Sequence, residues 1–152
     1  MKLQILIIIA FSQIILSCNN NNQNMTFRVA RHTNNLSEIE AFYINVIGFE
    51  NLGSFKNHDG YDGVFLGLPS SDWHLEFTST KEPVNHEFDD DDLLVFYPST
   101  EEVFQKIMQN IKINNIKIIK PKNPYWKKNG VHILDPDGYG LIISAQKTNN
   151  QG

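Results

Sequence analysis

Cysteine is almost missing from this chain. Of its 152 residues only Cys18 is one, so no intrachain disulfide can form and no thiolate cluster can hold zinc. Basic charge is also scarce: 13 Lys and Arg stand against 17 Asp and Glu, for a net charge of −4. Nothing here could neutralise a row of phosphates, which argues against nucleic acid as a partner. The Lys-rich stretch from Lys112 to Lys128 is interleaved with Ile and Asn and reads as a solvated face. There is no nucleophile elbow, Cys/His pair, phosphate loop or zinc-finger spacing. No apolar run is long enough to span a bilayer, since Leu3 to Leu16 is too short.

What is present begins with that run. Met1-Lys2 is a short positive start, Leu3 to Leu16 is an apolar run broken only by Gln4, Ser12 and Gln13, Ser17-Cys18 follows, and Asn19 to Asn24 is polar throughout with nothing to bury. This is the layout of a bacterial secretory signal peptide over residues 1–18. Ile15-Leu16-Ser17-Cys18 resembles a lipobox, in which Cys18 is acylated and becomes the mature N-terminus. More than one acyl chain, at about 0.8 kcal/mol per buried CH₂, suffices for anchoring. Residues 19–25 then form a tether, and the expected place is the cell envelope, with the membrane touched only through lipid. If translation starts at Met25 instead, the protein is expected in the cytoplasm.

From residue 26 to 147 the chain reads as one domain with two similar modules, about 26–86 and 92–147, and a tail over 148–152. Phe27 to Thr33 has strand composition. Asn35 and Glu38 stand at capping-box spacing, and Leu36, Ile39, Tyr43, Val46 and Ile47 repeat at helical spacing up to Gly48. Short β-type runs follow at 49–55, 63–68 and 73–80. The pattern restarts with a strand at 93–97, a second capping box from Ser99 to Glu102, and a helical stripe of Val103, Phe104, Ile107, Met108 and Ile111. Runs at 116–119, 130–134 and 140–145 complete a second β-α-β-β-β. The acidic segment Glu87 to Asp92 joins the two, and Asn123-Pro124-Tyr125-Trp126 reads as a rigid aromatic loop.

The last hairpin is the most specific motif. Asp135-Pro136-Asp137-Gly138-Tyr139 is a tight turn between two apolar strands. With Ala41-Phe42-Tyr43 and Ile47-Gly48-Phe49, it resembles the vicinal-oxygen-chelate (VOC) superfamily of glyoxalase I, bleomycin-resistance proteins and extradiol dioxygenases. Arg28-Val29-Ala30-Arg31, His58 to Gly63, His74-Leu75-Glu76-Phe77 and Asn123 to Trp126 resemble its YycE-like subgroup. The resemblance implies an α+β fold: paired β-α-β-β-β modules forming a cupped, eight-stranded mixed sheet with helices outside. It also implies a small molecule held in the cup and a homodimer as one form of assembly.

That resemblance places four metal-ligand positions, which fall on Arg28, Glu76, near Asp92 and on Ile143. Arg28 is permanently cationic and Ile143 has no donor atom, so no metal or other cofactor is expected. Glu76, His74 and Asp92 are the weak candidates for a divalent ion. The pattern favours an Arg28–Glu76 ion pair, because a buried carboxylate needs a partner. In the sharper reading, Arg28 grips an anionic or carbonyl-bearing ligand and Glu76 is the catalytic acid/base of a lyase, isomerase or dioxygenase-type enzyme. His32, His74, Tyr61, Asp62 and Trp126 are the further candidate ligand contacts. A ligand-sequestering resistance protein is the third expectation, and that role needs no metal.

Overall fold

A computed structural model describes residues 26–145. The signal peptide, Cys18, the whole tether, the last two residues of the expected domain and the tail lie outside the described residues. No helix among those described is long and apolar enough to cross a membrane.

Strand β1 is Phe27–His32, followed by α1 at Leu36–Phe42. The Asn35 side chain accepts the Glu38 N–H, so the expected N-cap is formed; the reciprocal half of the capping box is not, because the Asn35 backbone N–H donates to Thr33 Oγ1 and the Glu38 carboxylate takes the Asn35 side-chain amide instead. The helix does not continue as α: Tyr43–Ile47 is π-helical, and Gly48 ends it at φ 89°. Then come β2 (Glu50–His58), β3 (Tyr61–Gly67) and β4 (Trp73–Ser79). The second module holds β5 (Leu93–Phe96), α2 (Glu101–Ile113), α3 (Pro124–Asn129), β6 (Val131–Leu134) and β7 (Gly140–Ile143).

Two mixed sheets result, ordered β1-β4-β3-β2 and β5-β7-β6. In each, the first strand pairs in parallel with the last, β1 with β4 and β5 with β7. A helical crossover separates the first strand from the rest of its module, as a parallel neighbour requires. The expected strand at 116–119 shrinks to one bridge, Ile119 to His132, so seven strands rather than eight are formed among the described residues. Ser99 is not the cap of α2; Thr100 is, its hydroxyl accepting the Val103 N–H at 3.3 Å. Nor is 123–126 a loop. Asn123 caps α3 by accepting from the Tyr125 N–H, and Pro124 sits where its missing N–H costs nothing.

The two modules share one core. Ile39, Tyr43 and Val46 meet Leu66 and Phe77 of the first sheet, and Ile107, Ile133, Leu141 and Ile143 of the second module. Each such side chain contributes about 1.5–3 kcal/mol of burial. Polar groups stitch the same junction through the Asp135 turn. Asp135 Oδ1 accepts the N–H groups of Asp137 and Tyr139, closing the hairpin on itself. Its Oδ2 accepts from Arg31 Nη1 at 3.0 Å and from the Tyr43 hydroxyl at 3.1 Å. Thr33 donates to Asp137 at 3.0 Å. The Arg31 guanidinium also lies 3.8 Å over the Tyr139 ring, a close cation–π arrangement. Burial pushes the Asp135 carboxyl upward, and the Arg31 charge opposes it. Burial first, and the Asp135 charge second, hold the Tyr43 phenol well above its ordinary value.

Candidate functional site

Successive side chains on a strand point to opposite faces, and the register of the first sheet sorts its residues accordingly. Arg28 lies beside His74, Ala30 beside Glu76 and His32 beside Thr78. Glu76 lies beside Phe65 and Thr78 beside Gly63. Across the next pairing, Phe65 meets Gly53 and Gly63 meets Phe55. These residues share the face turned away from the helices. The other face carries Leu75, Phe77, Val64 and Leu66, which are buried in the core.

The expected ion pair is there. Arg28 Nη1 donates to Glu76 Oε2 at 2.7 Å, with the arginine side chain 52% exposed and the glutamate 14%. The carboxylate is shielded in the sheet while half of the arginine side-chain surface stays open to solvent. His32 bridges two hydroxyls, Thr78 Oγ1 at 2.9 Å and Thr80 Oγ1 at 3.3 Å, and its ring meets Tyr61 edge-on at 5.9 Å. The His74 Nε2 is buried and has no hydrogen-bond partner among the described residues.

An aromatic floor adjoins these groups. Ring centroids step from His58 to Phe55 at 6.0 Å, from Phe55 to Phe65 at 5.9 Å and from Phe65 to His74 at 5.3 Å. Gly63 makes this possible, because a Cβ there would stand 2.3 Å from the Phe55 ring. Sequence reading did not pick out Phe55 and Phe65 as site residues. The signal was a glycine inside an alternating strand, which marks a close approach.

The remaining candidates are dispersed. Asp62 is occupied in its own hairpin, accepting the Asn57 N–H at 2.7 Å. Asp59 and Gly60, at φ 50° and 87°, form the two-residue turn that this closes. Tyr61 follows that turn and stays 46% exposed beside His32. Trp126 packs on Tyr125 at 4.7 Å and next to Gly130 against the second sheet, apart from the Arg28 group. Asp92 is exposed in the turn before β5, where its carboxylate accepts the Asp89 N–H. His86, which sequence reading did not pick out as a site residue, is half-buried with Nε2 at 2.7 Å from the His32 carbonyl.

The fourth ligand position needs correcting. Ile143 is buried in the shared core on the helix-facing side of β7. The residue on the other face is Ile142, paired with His132. A count that slips by one crosses to the opposite face, and here both residues are isoleucine without a donor atom. Among the described residues, no group of three or more His, Cys, Asp or Glu side chains is placed to hold a metal ion. The donor set fits a guanidinium–carboxylate pair better than an ion with open coordination.

His132 is a buried imidazole, 4% exposed, with neither ring nitrogen hydrogen-bonded among the described residues. Burial lowers its pKa from the ordinary 6.5, and the charge of Asp90 opposes that shift.

Comparison with known proteins agrees with this architecture. Residues 27–78 match the YycE-like N-terminal domain, and residues 91–145 the YycE-like C-terminal domain. The uncharacterized protein YycE of Bacillus subtilis is 39% identical over 129 residues, covering 82% of this chain and 91% of that protein. The crystal structure of a YycE protein of unknown function from B. subtilis superposes with a TM-score of 0.72 at 37% identity, covering 84% of this chain and 93% of that one. Glyoxalase I of Leishmania major gives 0.63 at 17% identity, over 80% and 86% of the two chains. The fosfomycin resistance protein FosX of Listeria monocytogenes, in complex with Mn(II) and a dihydroxypropylphosphonic acid, gives 0.60 at 12% identity, over 83% and 94%. The last two likenesses establish the fold alone.

Proposed function

The chain belongs to the YycE-like family, which has the VOC fold, and from that premise we propose that it binds a small anionic or carbonyl-bearing molecule without a metal. The ligand lies on the open face of the first sheet. Arg28 supplies the grip, because its side chain is half exposed while Glu76 orients the guanidinium from a shielded position. Phe55 and Phe65 give the apolar floor, and His32 and Tyr61 the rim. A second copy of the chain would close the face, so homodimerisation is part of this reading.

The observation that carries it is the 2.7 Å Arg28–Glu76 contact at the positions where the resemblance puts two metal ligands. A cation fixed there opposes a divalent ion and favours an anion. Thermal-shift titration with small carboxylates and phosphonates tests the reading. Wild-type protein is expected to be stabilised by at least one class, and Arg28→Ala to lose that response. Metal analysis of protein purified without chelator completes the test, since stoichiometric Mn, Fe, Ni or Zn would overturn the metal-free part. Turnover that disappears in Glu76→Gln while affinity persists would make the protein an enzyme.

A further inference from the structure

A cavity lies on the opposite side of the first sheet from Arg28, where its helix-facing residues meet β5 and α2. Its volume is about 610 Å³, within the range of small-molecule sites. One wall is aromatic. Trp73 stacks on Phe96 at 6.4 Å, and Phe49 stands edge-on to both, at 5.8 and 5.4 Å. Leu68 and Val103 line the cavity and stay exposed instead of packing into the core.

Its polar residues are Tyr97, Ser99, Lys106 and Asn110, and only one of them carries a charge. The lining contains Lys106 and no Asp or Glu. Lys106 is exposed on α2 and forms no ion pair among the described residues, Glu102 one turn earlier included. The Asn110 amide, one turn later, already donates to the Val46 carbonyl at 3.2 Å. In a chain of net charge −4, an apolar recess with one free cation and no acid is a local reversal of charge. An apolar molecule would gain from burial against these rings. An anionic group on it would find the ammonium as a point charge that needs no set geometry.

We propose that this cavity binds amphiphilic anions, with the apolar body against Trp73, Phe96 and Val103 and the carboxylate or sulfonate at Lys106. The site is separate from the Arg28 face and does not depend on it.

The test uses the purified full chain and two fluorescent probes, anilinonaphthalene sulfonate and its uncharged relative phenylnaphthylamine. Saturable binding is expected for each, with quenching of the emission of Trp73 in the cavity wall. Lys106→Glu is expected to weaken the sulfonate about fivefold and the neutral probe less than about twofold, the scale of an exposed charge. Val103→Trp fills the rim and is expected to abolish both at this cavity; every titration is repeated in the Arg28→Ala background, so that sulfonate held at the Arg28 face is subtracted. Lys106 is on an exposed helical face, so its variant stays informative if Val103→Trp fails to fold. Absence of probe binding overturns the proposal, as does equal sulfonate affinity in wild type and Lys106→Glu. Probe binding that falls as the chain self-associates in sedimentation also overturns it, since a second copy is then what covers the cavity.

Discussion

Arg28 and Arg31 stand on one strand, three residues apart, and each pairs with a carboxylate. The odd spacing puts them on opposite faces, and the two pairs are physically different. Arg31 and Asp135 are 9% and 0% exposed, and the carboxylate accepts from four donors. Arg28 and Glu76 are 52% and 14% exposed, and 2.7 Å apart. A short contact therefore says little about an ion pair's role. The buried one ties two modules together, whereas the open one keeps a cation available at the surface of the first sheet.

The sharpest way to break this comparison is to remove both arginines in turn. Arg31→Ala strands a buried carboxylate and is expected to cost about 3–5 kcal/mol in denaturant unfolding. A loss below 1 kcal/mol, the scale of an exposed pair, would make the two pairs equivalent and remove the distinction. A smaller effect concerns the outward face of the second sheet. His132 is buried with its pKa lowered from 6.5, so the unfolded chain binds the proton more readily. Its contribution to stability is present above pH 6.5 and is lost as pH falls through the lower folded value. Unfolding midpoints of the wild type should decline over that window, and His132→Leu should flatten the decline. The smallest effect on folding belongs to Arg28→Ala, at most about 1 kcal/mol. Calorimetry that finds a much larger loss would turn the open pair into a structural one.

Features set by neighbouring residues were readable in the sequence. The Asn35 cap, the stripe along α2 and the Asp135 turn each depend on a few adjacent positions. The Arg28–Glu76 pair followed from the resemblance, because family geometry brings the two strands together. The Arg31–Asp135 contact was not readable, since it joins residues 104 apart. At 116–119 the composition suits a strand, yet only Ile119 finds a partner. Pro124 drew the reading toward a loop, although Asn123 before it is equally the start of a helix. The fourth ligand position shows that a one-residue error is harmless for naming a strand and decisive for naming its face.

The Asp135 turn has a consequence for the ancestry that a doubled architecture suggests. Only the second half carries this motif; the connection between β3 and β4 is Leu68-Pro69-Ser70-Ser71-Asp72. Arg31, Thr33 and Tyr43 all reach out of the first half to hydrogen-bond the Asp135–Tyr139 hairpin. The halves have thus become lock and key rather than twins. Neither could be swapped for a second copy of the other, because two first halves would leave three donors without an acceptor and two second halves would leave a buried acid without its counter-ion.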